Sequence, residues 1–472
     1  MVELIDVEPQ AVRPTGATRP ASKLAQLAWA AFDGGRSPYN VLINIFVFSA
    51  YFSTVVVTNP ATGQPDSVRG QATWSYMTSI AAIIIAIGAP ILGAIADAGG
   101  RRKPWILFCV LFGAPCMLAS WFAVPGMTAG LGFVMAALIL ANCSFEYSGI
   151  FCNAMLPNLA PPHRIGPLSG LGFALGNAFG IVVFLIFLLA WSWNPHPLFG
   201  LSSARHEPER ATGVLAAIWF ALFAIPLLLF TPDSPGTRRS VPQAVRHGFG
   251  QLVGTLKKIG DYRNICIFLI GRMSYNEGFI AMMLFTGVFA AGILHWNATM
   301  LSVEGLINSV VAALCGLFAG WLDQKIGSKR ATLIFVGGCL LANIVLLSVT
   351  PDTVFFMHVA PDYMRTGGLF PTLPDKVFLV TQCSIAFFVT GGLVTSRAMM
   401  AKLSPPAMLN EFFGLYALSG TATSFLGPLA IGIVTLFFAS QRAGVAVGIF
   451  FLTLGFVVML AVKERLAKEA TA

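Results

Sequence analysis

The sequence predicts an all-α integral membrane protein with twelve transmembrane helices in two six-helix pseudo-symmetric bundles. Three observations predict it: an apolar composition, twelve apolar runs of spanning length, and a charged motif that occurs twice at matched places. Of 472 residues, 56% are hydrophobic and only 10% charged, with a mean hydropathy of +0.77. Soluble globular chains carry about 25% charge, so most side chains here face something other than water. Phe alone occurs 39 times, which suits surfaces that meet lipid or other helices.

The apolar runs fall at 26–57, 72–97, 103–124, 130–158, 166–192, 212–231, 262–292, 300–322, 329–350, 376–401, 410–438 and 441–462. Each is long enough to cross a bilayer as a helix of roughly 20 residues. Backbone groups cannot stay unpaired in hydrocarbon, so the runs are helices. They are too long and too continuous for barrel strands. Residues 1–25 are polar and hold Pro and Gly without an apolar leader, which reads as a disordered cytoplasmic tail. Residues 26–231 form the first bundle and 262–462 the second, with a short tail at 463–472. The linker at 232–261 opens with TPDSPGTRRS and then places Val241, Val245, Phe249, Leu252, Val253 and Leu256 at helical spacing among basic residues. That spacing predicts an amphipathic helix on the membrane surface.

The net charge of +9 points to orientation rather than nucleic acid, because the basic residues sit in short loops between apolar runs. With the N-terminus inside, 20 of the 29 Lys and Arg fall on inner segments. Six fall outside (Arg69, Arg205, Arg210, Arg365, Lys376 and Arg442) and three within spans (Arg36, Arg272 and Arg397). Both termini are therefore expected in the cytoplasm of a bacterial cell, with the chain a monomer in the inner membrane. All eight cysteines lie in apolar runs without a CxxC pair, which reads as small core residues. There is no Gly-x-x-x-x-Gly-Lys-(Ser/Thr) phosphate loop, no His/Cys cluster and no nucleophile–base constellation. No cofactor, metal or enzymatic activity is expected.

The repeat gives the two-half plan. Gly93-Ala-Ile-Ala-Asp97-Ala-Gly-Gly100-Arg101-Arg102-Lys103 follows the second run, and Gly320-Trp-Leu-Asp323-Gln-Lys-Ile-Gly327-Ser-Lys329-Arg330 follows the eighth. In each, a glycine allows close helix approach. An acid at a helix end can receive a helix N-terminus or an arginine. A turn glycine and a basic cluster then hold the loop inside. The plainer reading is a topogenic loop, but such a loop needs no acid at Asp97.

Charges inside the spans cost about 2.5–3.5 kcal/mol or more each at the bilayer centre, so each asks for a reason. Asp33 and Arg36 stand in span one, Glu146 in span four, Arg272 and Glu277 in span seven, and Arg397 in span ten. The sequence reading finds no other span with an ionisable residue near mid-depth. Asp33 and Arg36 are three apart and can share a helix face, in a stretch broken by Gly34, Gly35 and Pro38. Glu146 shares a polar stripe with Asn142 and Asn153. Arg272, Tyr275, Asn276 and Glu277 cluster within two turns. Arg397 is near the end of its span, where snorkelling to the interface is the alternative.

Gly93–Arg102 resembles the loop signature of the major facilitator superfamily, with Ala98 where a base is usual. The resemblance implies the major facilitator fold, with spans one, four, seven and ten lining a central cavity. It also implies a gate latch built from Gly93, Asp97, Gly100, Arg101 and Arg102, with Asp323 as the counterpart. Asn153-Ala-Met-Leu-Pro157-Asn158, Leu168-Ser169-Gly-Leu-Gly172-Phe-Ala-Leu-Gly176-Asn177, Tyr275-Asn276-Glu277-Gly278 and Phe32-Asp33 are similar to the vacuole-effluxer-like family. After Phe32-Asp33 that family has Trp-Ala-Asn-Ser where this chain has Gly-Gly-Arg-Ser. The resemblance implies amino-acid efflux. The expected partners are a small-molecule substrate, a proton or sodium ion, and the bilayer. The sequence predicts a secondary active transporter working by alternating access, with a small polar solute such as a zwitterion as cargo. The same charges would serve a sugar:cation symporter, an uncoupled carrier, or a sensor on a transporter scaffold.

Overall fold

The computed structural model describes residues 21–99, 101–233, 262–359, 368–404 and 409–463. The tail before residue 21 and the predicted linker helix lie outside the described residues. Among these residues, twelve helices are long and apolar enough to cross a membrane. Spans one to six are Lys23–Val56, Ser67–Gly93, Lys103–Phe122, Leu131–Ala154, Leu168–Ser192 and Glu207–Phe230. Spans seven to twelve are Arg263–Ile293, Ala298–Ile326, Ser328–Ser348, Leu373–Leu403, Phe412–Phe437 and Gln441–Leu460. A two-residue hairpin, Thr353–Val354 with Met357–His358, is the only strand pairing of any length among the described residues. Both the first and the last span begin or end on one face, called here the terminal face; the other is the distal face.

Two spans are broken as their sequences require. Span one is α-helical over Lys23–Gly35 and wound as π-helix over Tyr39–Phe46. Pro38 lacks an N–H and forces the change of register between them. Span eleven runs as Leu409–Thr421 and then Leu426–Phe437, with a non-helical turn between. Glycines set the close approaches inside each half. A Cβ at Gly34 would lie 2.8 Å from the Leu175 backbone, and one at Gly70 only 1.8 Å from the Ser53 carbonyl oxygen. Spans one and five, and spans one and two, therefore touch backbone to backbone, as small residues permit in membrane helices.

The halves meet only toward the distal face. Span two packs on span eleven, span five on span eight, and span one on span seven. Gln71 Nε2 donates to Thr435 Oγ1 at 2.8 Å and to the Gln441 carbonyl at 3.1 Å. Gln441 Nε2 donates to the Ser67 carbonyl at 3.0 Å, and Ser79 Oγ to the Phe425 carbonyl at 3.0 Å. Ser192 and Thr299 share a hydrogen bond between spans five and eight. No hydrogen bond or ion pair among the described residues joins the halves near the terminal face. The seam is tight: a Cβ on Gly287 of span seven would sit 2.4 Å from the Ile45 carbonyl oxygen. Gly287→Val is expected to hold the distal seam apart, read as faster thiol labelling of a cysteine placed at Tyr76, beside the span two–span eleven contact.

Candidate functional site

The charges of span one are packed from both sides. Arg36 Nη1 lies 3.6 Å from Asp33 Oδ1. Its Nη2 donates to the Phe145 carbonyl at 2.7 Å, and the guanidinium lies 4.4 Å over the Phe145 ring. Two glycines make room. A Cβ at Gly149 would fall 2.4 Å from the guanidinium, and one at Gly172 would fall 2.6 Å from Asp33 Oδ2. The Gly172 stretch, which the family resemblance singles out, is thus the seat of the span-one acid.

Glu146 is exposed, although protein crowds it at mid-depth of span four within electrostatic range of Arg36. It stands near Tyr39 as well. Among the described residues it has no hydrogen bond or ion pair. Asn142, one turn away, is half-buried on the same helix.

The span-seven cluster divides. Arg272 donates to the Tyr416 carbonyl at 2.8 Å and to Ser419 Oγ at 2.5 Å, and it lies 3.7 Å over the Tyr416 ring. Asn276 Nδ2 reaches the Gly420 carbonyl at 3.4 Å. Tyr275 is fully buried and donates to Ser396 Oγ at 2.8 Å, with Gly455 of span twelve flush against its backbone. Glu277 is 1% exposed. Its Oε2 accepts the Gly427 N–H at 2.9 Å, at the start of the second segment of span eleven. The carboxylate therefore caps a helix N-terminus, where the partial positive charge favours an anion. The structure buries Tyr275 and Glu277 inside the second half, with Glu277 Oε1 left without a hydrogen bond among the described residues. Their partners, the Ser396 hydroxyl of span ten and the Gly427 N–H of span eleven, carry no charge that a sequence reading could pair with them.

Arg397 is exposed. It stands off the span-ten face formed by Val380, Ser384 and Phe388, which lines an apolar groove of about 470 Å³ on the flank of spans nine and ten. None of the predicted site residues lines that groove. Among the described residues Arg397 has no partner.

The predicted latch is only partly within the described residues. Gly100 and the Asp97 side chain lie outside them. Gly93 and Gly320 each have open space where a Cβ would sit. Among the described residues, neither glycine is needed for a close helix approach. Arg101 is exposed, and the Arg102 N–H donates to Asp233 Oδ1 at 2.8 Å, fixing the loop to the end of span six. Asp323 Oδ2 accepts from Lys402 Nζ at 2.9 Å, and Oδ1 from Ser328 Oγ. That pair joins spans eight and ten within one half. Lys402 is nearly half exposed, so Lys402→Ala is expected to lower stability by no more than about 1 kcal/mol in thermal unfolding.

A further correction concerns Glu304 of span eight, which the sequence reading passed over. It is fully buried, with Asn308 Nδ2 donating to its Oε1 at 3.3 Å. The run drawn at 300–322 put it near the end of the span, whereas the helix begins at Ala298 and carries it one turn further in from its start. The signal was there as an acid and an amide four apart in an apolar run.

Twelve apolar spans in two halves are the plan of a membrane transporter of the major facilitator type. The chain belongs to the family described as vacuole effluxer Atg22 like, whose model matches residues 65–472. It is 24% identical to an uncharacterized MFS-type transporter, YxiO, of Bacillus subtilis, over 94% of this chain and 96% of that protein. It is 25% identical to autophagy-related protein 22 of Cryptococcus neoformans, over 64% of this chain and 50% of that protein. Among solved structures, the D-xylose-proton symporter superposes with a TM-score of 0.66 at 14% identity, covering 93% of this chain and 97% of that one. It is a likeness of fold.

Proposed function

We propose that the protein carries a small zwitterion, such as an amino acid, by alternating access, with a proton or cation as the coupling ion. One observation carries the reading. Glu146 of span four and Arg397 of span ten are accessible, opposite in charge and without partners among the described residues. They belong to different halves. A solute with an ammonium and a carboxylate group would satisfy both and would draw the halves together. Arg36 and Arg272, by contrast, already hold carbonyls and rings of their own half. They shape the chamber and set its positive potential.

Glu146 is the coupling candidate, because an accessible acid can exchange a proton with the chamber. Glu277 is not, because it is held on the span-eleven turn. The excess of Lys and Arg on the terminal face supports placing that face in the cytoplasm of a bacterial cell, which makes this form inward-facing. The efflux role in the family name and the proton in the symporter's title belong to those proteins and serve here as guides for the assay.

The test is uptake of labelled amino acids, with sugars as contrast, into proteoliposomes under an imposed pH gradient. Glu146→Gln is expected to abolish gradient-driven uptake and retain exchange. Arg397→Gln is expected to raise the half-saturating concentration at least tenfold, as loss of one charged contact does. Wild-type behaviour in both variants would overturn the reading.

A further inference from the structure

Glu304 is unused by the site just described, and its surroundings are unusual. Its Oε2 is buried without a hydrogen-bond partner, as is Asn308 Oδ1 beside it. A buried carboxylate needs a cation or several donors to be tolerated, and among the described residues only the Asn308 amide reaches this one. Span eight is packed by spans ten, five, nine and one. Span ten offers the Cys383 thiol, within electrostatic range. Span five has no titratable residue between Leu168 and Ser192. Span nine has Cys339 at mid-span and its basic residues only at the terminal end, and span one has Tyr39, whose hydroxyl is bonded to the Leu138 carbonyl. The acid form is the one such a place can hold. The side-chain amide of Asn308 can serve either form: its Nδ2 donates to a carboxylate, and its Oδ1, after rotation of the amide, accepts from a protonated carboxyl.

The cover over this site comes from the other half. A Cβ at Gly305 would lie 2.3 Å from the Phe184 ring of span five, so that ring sits directly on the residue beside Glu304. Ser192 and Thr299 close the same pair of spans at the distal end. We infer that Glu304 is a proton-binding site, occupied while the span five–span eight seam is shut and opened to water when it parts. The inference rests on the transporter reading for its purpose, although its test needs no transported solute.

The measurement is infrared pH-difference spectroscopy of the purified protein in lipid. Wild type is expected to lose a protonated-carboxyl carbonyl band as pH rises, and Glu304→Gln to lack that band. A disulfide formed by Ser192→Cys and Thr299→Cys locks the seam. It should preserve the band to higher pH until a reductant is added. Should Glu304→Gln fail to fold, Asn308→Leu keeps the acid and removes its one partner, and the band should change frequency. A Glu304→Gln difference spectrum identical to wild type, a band indifferent to the lock, or an unshifted band in Asn308→Leu would each overturn the proposal. Failure of amino-acid uptake would leave these readouts untouched and would count against the zwitterion reading alone.

Discussion

Arg36→Leu is expected to destabilise the protein by about 3 kcal/mol, because removing one partner of a largely buried pair leaves the other uncompensated. Asp33 keeps a quarter of its side-chain surface exposed, so the effect falls at the lower end of the range for buried pairs. The substitution also removes the donor to the Phe145 carbonyl and the cation over its ring. The double variant Asp33→Leu/Arg36→Leu is expected to regain much of the loss, since neither charge is then stranded. A double-mutant cycle by thermal or denaturant unfolding in detergent gives the coupling directly. Additive losses would mean that the two side chains act independently. Arg36→Lys should rescue poorly, because the ammonium cannot span the acid and the carbonyl together as the planar fork does.

The second large effect is expected at Glu277. Glu277→Ala should cost about 2 kcal/mol, the sum of a charge-assisted hydrogen bond and its share of the helix-end field. Gly427 gives the reason for specificity. A Cβ there would lie 3.0 Å from Glu277 Oε2, so the acid and the glycine fit each other. Glu277→Gln keeps an acceptor for the Gly427 N–H and should recover about half of the loss. Hydrogen exchange should locate the change in residues 412–430 of span eleven. Exchange that rises equally across all spans would contradict the capping role.

The spans were legible because hydrocarbon leaves a chain few options, and the pair at Asp33 and Arg36 because three residues on a helix fix a shared face. What Glu277 touches was not legible. Its partner is a backbone N–H at a break in another helix, and neither hydropathy nor charge marks such a break. Glu304 was hidden by a boundary drawn a few residues short, which moved a buried acid into the interface. The seats for Arg36 and Asp33 depend on which helices become neighbours, so Gly149 and Gly172 acquire their meaning only in the fold. For Asp97 and Gly100, the repeat gave a position in the chain without a contact to go with it.

The bonds across the distal seam have a consequence for motion. All those described between the halves involve neutral groups: amides, hydroxyls and carbonyls. Each intramembrane guanidinium that has a partner finds it in its own half. Among the described residues, tilting one bundle against the other therefore separates no cation from an anion, which keeps their electrostatic contribution to reorientation small. Salt should leave the empty carrier's turnover nearly unchanged, so the solute that fits between the halves sets the pace.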